Sequence, residues 1–460
     1  MAFRATDPYR DVLLAEVKPL DAPGIATCLA EAHAAQRVWR RRPLTSRAAF
    51  VTRLGALLGA SRDALAERAT REMGKGIVSA GVEVDKCILL CDRAVELAPR
   101  ALAPELITDD AFGAWRVEYE PLGLVLAVMP WNFPFWQALR VIVPNVLAGN
   151  GVLHKPAASV PGCAQLLHTV LAQAARETGA PEAITSLLLA DTADIAGVIA
   201  HPHVAAVTLT GSERAGAAVA GVAGAHLKKA VLELGGSDPF LVLADADVDR
   251  AARAAVMSRM LNNGQSCIAA KRFVVCDAVY DAFLDQVTRR VRALRVGDPM
   301  DPHTDVGPMA TRALRDQLDA QVQRSVAAGA RIATRAAVPA GPGYFYPPTV
   351  LTEVPDGSPA ADDELFGPVA TVFRVADTEA ALQRANATRF GLGASVWTRD
   401  PQDAARCVAE LEAGMVFVNE IVASDPRVPF GGVKQSGMGR ELGIPGFREF
   451  TNTKTVRVVE

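Results

Sequence analysis

The sequence has no CxxC pair, no large excess of charge of one sign and no long uninterrupted apolar run, and each absence removes a class of protein. Its seven cysteines, Cys28, Cys87, Cys91, Cys163, Cys267, Cys276 and Cys407, are scattered and odd in number. That pattern argues against a disulfide framework and a zinc ribbon, so no metal is expected, and it fits a reducing compartment. A formal net charge of −3 offers no basic groove for nucleic acid and no polybasic surface for a membrane. The opening residues, MAFRATDPYRDVLL, hold no apolar h-region, so no secretory signal is expected. Every apolar stretch is broken by charge, proline or glycine before the ~18–20 residues of a transmembrane span. The glycine fingerprint GxGxxG of the ordinary dinucleotide fold is missing as well. The expectation is a cytoplasmic protein.

What is present is enough for more than one packed unit: 460 residues, half of them hydrophobic. Residues 25–70 read as helix interrupted at Pro43, and 76–100 continues as helix to Pro99. The pattern then changes. AWRVEYE (114–120) alternates like an exposed strand, and GLVLAVM (123–129) is a buried run. A helix at 161–179 with Gly179 as its cap leads to strand 185–190, short helix 192–200, strand 204–209 and helix 211–224. The rhythm resumes with helix 247–261, strand 273–276, helices 279–295 and 311–328, strand 369–375, helix 378–387 and strand 394–397. Helix 401–412, strand 415–419 and a last exposed strand, TKTVRVV, follow. Alternation of this kind implies α/β architecture with parallel sheets covered by helices.

Four places combine residue type and position in a way that suggests chemistry. Cys267 lies in NNGQSCIAAKR (262–272), a loop rich in glycine and amides. A lone cysteine is ordinarily a small buried hydrophobe, whereas a nucleophile needs access, activation and donors for the oxyanion it creates. Asn132 in PWNFPFW follows the apolar run 123–129, at the strand end where α/β proteins place their sites. It reads either as a turn cap or as an oxyanion donor. Glu233 in AVLELGGSDPF closes an apolar strand, as a solvent-facing edge residue or as a desolvated general base. In VTLTGSERAG a strand runs into Gly211 and Ser212 at a helix start, which is an ordinary N-cap or a phosphate site.

PWNFPFW, HKPA (154–157), LTGS (209–212), ELGGSDP (233–239), NNGQSC (262–267), ELFGPV (364–369) and PFGGVKQSGMGRELG (429–443) together resemble the aldehyde dehydrogenase superfamily, in its order and spacing. The resemblance implies that the Cys267 thiolate attacks an aldehyde carbon. The Asn132 side chain and the Cys267 N–H would hold the oxyanion, hydride would pass to nicotinamide, and Glu233 would activate the water that hydrolyses the thioester. It also implies that Lys155 reaches the adenosine ribose, that Gly211 and Ser212 meet the pyrophosphate, and that Glu364 binds the nicotinamide ribose. Trp131 and Phe366 complete the cofactor contacts. CoA-acylating members lack a glutamate at the position of Glu233, so its presence favours hydrolysis. A non-catalytic relative is disfavoured because Cys267, Asn132 and Glu233 are all present.

The fuller match, EYEPLGLVLAVMPWNFPFWQALR with GQSCIAAKRFVV, is similar to bacterial succinate-semialdehyde dehydrogenases, with other semialdehydes or aldehydes in general as alternatives. Arg140 falls where such enzymes place an arginine for the substrate's far carboxylate, or else it is a helix arginine at a subunit contact. Leu261 stands where some relatives have a second arginine, and Ser424 can add a hydrogen bond. The cofactor is NAD or NADP: the acidic residue that repels a 2′-phosphate in NAD-preferring relatives is replaced by Ala158. The implied fold is aldehyde dehydrogenase-like, with a Rossmann-like cofactor domain (1–111 and 121–232, rejoined at 426–445), a catalytic domain (233–425) and oligomerisation strands (112–120 and 446–460). A homodimer or homotetramer is the implied assembly.

Overall fold

The computed structural model describes residues 2–110 and 113–459. Two mostly parallel sheets dominate it. The first has six strands in the order Gly437–Met438, Lys229–Glu233, Val204–Thr210, Leu124–Val128, Gly151–Lys155, Thr185–Leu187, parallel except for Gly437–Met438. The second has seven strands, Arg331–Arg335, Thr349–Thr352, Val369–Val375, Arg272–Cys276, Pro239–Val242, Gly393–Trp397 and Met415–Val418, with only the first antiparallel. Strands such as Leu124–Val128 and Pro239–Val242 are apolar runs because helices cover both faces of a parallel sheet. Helices Leu44–Ala60, Arg62–Met73, Ile77–Ala101, Trp136–Ala148 and Pro161–Thr178 share the largest hydrophobic core.

A third sheet is antiparallel: Thr451–Val458 pairs with Gly113–Pro121, which pairs with Glu105–Asp110. The central strand Gly113–Pro121 and the outer strand Thr451–Val458 correspond to the expected 112–120 and 446–460 strands. The stretch before Thr451 differs, because Gly443–Glu449 is helical. Positions 1, 111, 112 and 460, which bound the expected segments, lie outside the described residues.

Other differences have local causes. The helix expected to stop at Pro99 runs two residues further, from Ile77 to Ala101, so the lost N–H and the ring's crowding of the preceding turn fall on its last turns alone. The strand expected at 185–190 shortens to Thr185–Leu187, and the helix expected from 211 starts at Glu213 with Ser212 as its N-cap. Trp136–Ala148 is a helix buried at every position, so no polar face marks its period. The N-terminal hairpin Phe3–Asp7/Val12–Val17 and the strands Pro239–Val242, Arg331–Arg335 and Thr349–Thr352 were not anticipated. Among the described residues no helix is long and apolar enough to cross a membrane.

Candidate active site

The six-stranded sheet brings the candidate residues to one edge. Its parallel strands end in register: Val128 lies opposite both Lys155 and Leu209, and Thr210 lies opposite Glu233. Leu124–Val128 has a following strand on one side and Val204–Thr210 on the other, so the chain order switches there. Open α/β sheets form a crevice at such a point, beyond the carboxyl ends of the strands. Asn132 and Gly211 sit at that crevice, one from each neighbouring strand.

The Cys267 loop is assembled by backbone geometry that amides and glycine tolerate. Asn262 and Asn263 have φ of 54° and 59°, and Gly264 follows at 75°. These are left-handed conformations that cost most residues and that Asn and Gly adopt readily. A Cβ on Gly264 would lie 2.3 Å from the carbonyl carbon of Gly367, so position 264 admits only glycine. Asn263 Nδ2 donates to the carbonyls of Gly74 (2.8 Å) and Pro308 (3.0 Å), and its Oδ1 accepts from Gly307 N–H (2.8 Å). Lys271 Nζ donates to the carbonyls of Ser266, Cys267 and Ala269 at 3.1, 2.8 and 3.1 Å. The thiol is thus carried by a loop pinned from both sides.

Asn132 is buried and donates through Nδ2 to the Gln265 carbonyl at 3.1 Å, while Asn262 Nδ2 donates to the Asn132 carbonyl at 2.8 Å. An amide nitrogen has two hydrogens, so Asn132 keeps one for another acceptor. The Cys267 thiol is pushed up to about 12 by burial, against the pull of Arg140 and Lys271. It is therefore a thiol, not a thiolate, in the structure as it stands.

Glu233 is 2% exposed, and among the described residues neither carboxylate oxygen has a hydrogen-bond partner. Burial, reinforced by the neighbouring Glu441 carboxylate, holds its pKa well above the usual carboxylate range, while Arg140 and Arg440 oppose that. Space for it comes from Gly431 (φ 153°), where a Cβ would sit 2.6 Å from Glu233 Oε1. Arg140 is also buried, ion-paired with Glu441, and donates to Thr210 Oγ1 at 3.4 Å. Glu441 is positioned by a bridge in which its backbone exchanges hydrogen bonds with Phe430.

Two spaces meet at Cys267. A cleft of about 460 Å³ is lined by Trp131, Asn132, Thr210, Gly211, Ser212, Glu364, Phe366, Arg389 and Cys267 among others. Its chemistry suits a dinucleotide. The N-terminus of helix Glu213–Ala225 opens into it with Ser212 as N-cap, giving N–H groups and a dipole for phosphate. Trp131 and Phe366 meet edge to face at 5.8 Å. The Glu364 carboxylate, raised by burial, accepts from Gly236 N–H (3.2 Å) and lies 3.3 Å from Lys271 Nζ. Lys155 is not in the cleft lining; it ends its strand beneath the Phe3 ring, 5.9 Å from Nζ. Glu233 lines neither space and sits behind the cleft wall formed by Thr210, Leu234 and Gly235.

The second space is a chamber of about 130 Å³ lined by Arg140, Ser424, Trp136, Phe430, Lys86 and Cys267 among others. Both expected substrate residues therefore reach it, but the Arg140 guanidinium is committed to Glu441 rather than standing free. Lys86, Glu441, Lys271 and Arg389 escaped the sequence reading. Glu441 and Lys271 lie inside or next to quoted motifs, yet each has significance only through a distant partner. Lys86 carries no sequence signal, since one lysine on an amphipathic helix reads as a solvated side chain.

The chain matches the model of the aldehyde dehydrogenase family over residues 1–456. It is 46% identical over 418 residues, 91% of each chain, to a Synechocystis protein named probable succinate-semialdehyde dehydrogenase (NADP+). It is 46% identical over 434 residues, 94% of each chain, to a Mycobacterium tuberculosis protein named succinate-semialdehyde dehydrogenase (NADP+) 1. The crystal structure of succinic semialdehyde dehydrogenase from Streptococcus pyogenes, in complex with NADP+, superposes with a TM-score of 0.96 at 34% identity, covering all of both chains. With the strand-end crevice, the pinned cysteine loop and the two spaces that meet at its thiol, these likenesses lead to one conclusion: the chain belongs to the aldehyde dehydrogenase family.

Proposed function

We propose that the chain oxidises succinate semialdehyde to succinate with NADP, through a thioester on Cys267 that water resolves. The observation that carries this reading is the position of Cys267, shared by a dinucleotide-shaped cleft and a small chamber with cationic walls. The nicotinamide cofactor, when bound, supplies the hydride acceptor. Trp131, Gly211, Ser212, Glu364 and Phe366 would hold it, and Lys155, outside the cleft lining, would serve its adenosine end. Cys267 gives up its thiol proton to solvent and attacks the aldehyde carbon as the thiolate, and the second Asn132 N–H with the Cys267 N–H stabilises the oxyanion. Glu233, with no hydrogen bond restraining either oxygen, turns toward the thioester and takes the proton from water.

Arg140, Lys86 and Ser424 give the chamber two cations and a hydroxyl, which favours an aldehyde bearing a second carboxylate over a plain alkanal. The relatives named for NADP, and Ala158 in place of an acid, support NADP over NAD. The six-stranded sheet and N-terminal helices form the cofactor domain, the seven-stranded sheet the catalytic domain, and the three-stranded sheet the oligomerisation element of a cytoplasmic homodimer or homotetramer. The test is reduction of NADP and NAD, assayed in parallel with a panel of aldehydes and no added CoA. Turnover of succinate semialdehyde with NADP is expected; strict dependence on CoA would overturn the reading.

A further inference from the structure

The chamber beside Cys267 has two cations in its wall, and they are in different states. Arg140 already has its counter-ion: it pairs with Glu441 and stacks 4.7 Å from the Phe430 ring centroid. Lys86 has none. Its Nζ donates to Ser424 Oγ at 2.5 Å and lies 4.3 Å above the Trp136 ring. Among the described residues no carboxylate forms an ion pair with it: Glu83 pairs with Lys75 and Asp425 with Arg427, and both act on Lys86 only from farther off. The placement is structural, not accidental. Ser79, Val82, Glu83 and Lys86 follow helical spacing along Ile77–Ala101 and present one face to the chamber.

We propose that Lys86, steadied by Ser424 and Trp136, is the residue that binds the far carboxylate of the substrate, while Arg140 serves to hold Glu441. This rests on the semialdehyde reading above. Lys86 is half-buried, and a cation partly withdrawn from water without a counter-ion carries a cost that an anionic substrate entering the chamber offsets by supplying the missing partner. Burial, then the nearby Arg140 charge, lowers Lys86 to about 8, with Cys87, Asp425 and Glu83 opposing. Those are the titratable groups facing it from its own helix, from Trp136–Ala148 and from the loop that carries Ser424. Lys86 is therefore charged at neutral pH and loses its charge just above it.

The test compares kcat/KM for succinate semialdehyde with that for butanal, of the same carbon length, in the wild-type enzyme, Lys86→Met, Lys86→Arg and Arg140→Met. In the wild type the acid aldehyde is preferred. In Lys86→Met the ratio falls about 10- to 100-fold, as expected for a lost charge-assisted hydrogen bond, and mostly through KM. Lys86→Arg recovers part of it. The wild-type KM for succinate semialdehyde rises above pH ~8, a rise that butanal does not share and that Lys86→Arg moves upward. A wild type with no preference for the acid overturns the substrate reading, and this assignment with it. A preference kept by Lys86→Met, or lost only in Arg140→Met, overturns the assignment alone.

Discussion

Cys267 and Glu233 share one obstacle to the charged forms that their proposed roles need. Burial disfavours charge, which pushes the thiol up to about 12 and the carboxyl well above its usual range. In the enzyme without ligands, iodoacetamide should alkylate Cys267 slowly at pH 7.5 and faster as pH rises. Rapid labelling at pH 7.5, followed by mass spectrometry, would contradict the protonated thiol. Cys267→Ala should lose turnover by at least about 10³-fold, the scale on which covalent machinery acts, while NADP binding measured by fluorescence persists. Glu233→Gln should release a burst of NADPH and then stall, with kcat reduced about 10²- to 10⁴-fold. The wild-type kcat should rise with pH as Glu233 ionises, and the variant should lack that rise. For stability the sign is opposite. A carboxyl whose folded pKa is raised binds its proton more tightly folded than unfolded, so stability falls as pH climbs from its ordinary value toward the raised one. Glu233→Gln should therefore melt higher at pH 8 by about 1–3 °C, with little difference at pH 4; equal melting at both pH values would count against a raised carboxyl.

At the scale of elements, the loop 262–267 shows how a site is built from backbone that few residues tolerate. Three successive left-handed residues and the closeness of Gly264 to Gly367 leave no room for a Cβ. Gly264→Ala should cost about 2–4 kcal/mol in denaturant unfolding, the range for strain combined with a buried clash. A cost below ~0.5 kcal/mol would mean that the loop relaxes freely. Such elements are partly readable in advance: NNG announces left-handed backbone, and apolar runs between helices announce a parallel sheet. Trp136–Ala148 is not, because a helix buried on every side has no period to detect. The hairpin Phe3–Asp7/Val12–Val17 is missed for the converse reason: its second strand is half exposed and its short alternation is weak.

For the whole molecule, the three-stranded sheet ends in an open edge. Leu106 and Ile107 on its outer strand Glu105–Asp110 are about two-thirds exposed, and an apolar unpaired edge seeks a partner. If the proposed oligomer forms through this edge, the double substitution Leu106→Arg, Ile107→Arg should shift the mass in sedimentation equilibrium toward monomer; unchanged mass would count against this edge as a subunit contact.

The sequence by itself determined the α/β class and much of the order of the parallel units, and it marked the candidates for nucleophile, oxyanion donor and base, because each lies within a local motif at a strand end or turn. Only the tertiary structure decided what those residues touch. It paired Arg140 with Glu441, left the Glu233 carboxyl without a hydrogen bond among the described residues, and set Lys86 against Ser424, 338 positions along the chain. Burial and charge neutralisation are properties of a three-dimensional neighbourhood, and no spacing along the chain records which cation has found its counter-ion and which still waits for a substrate.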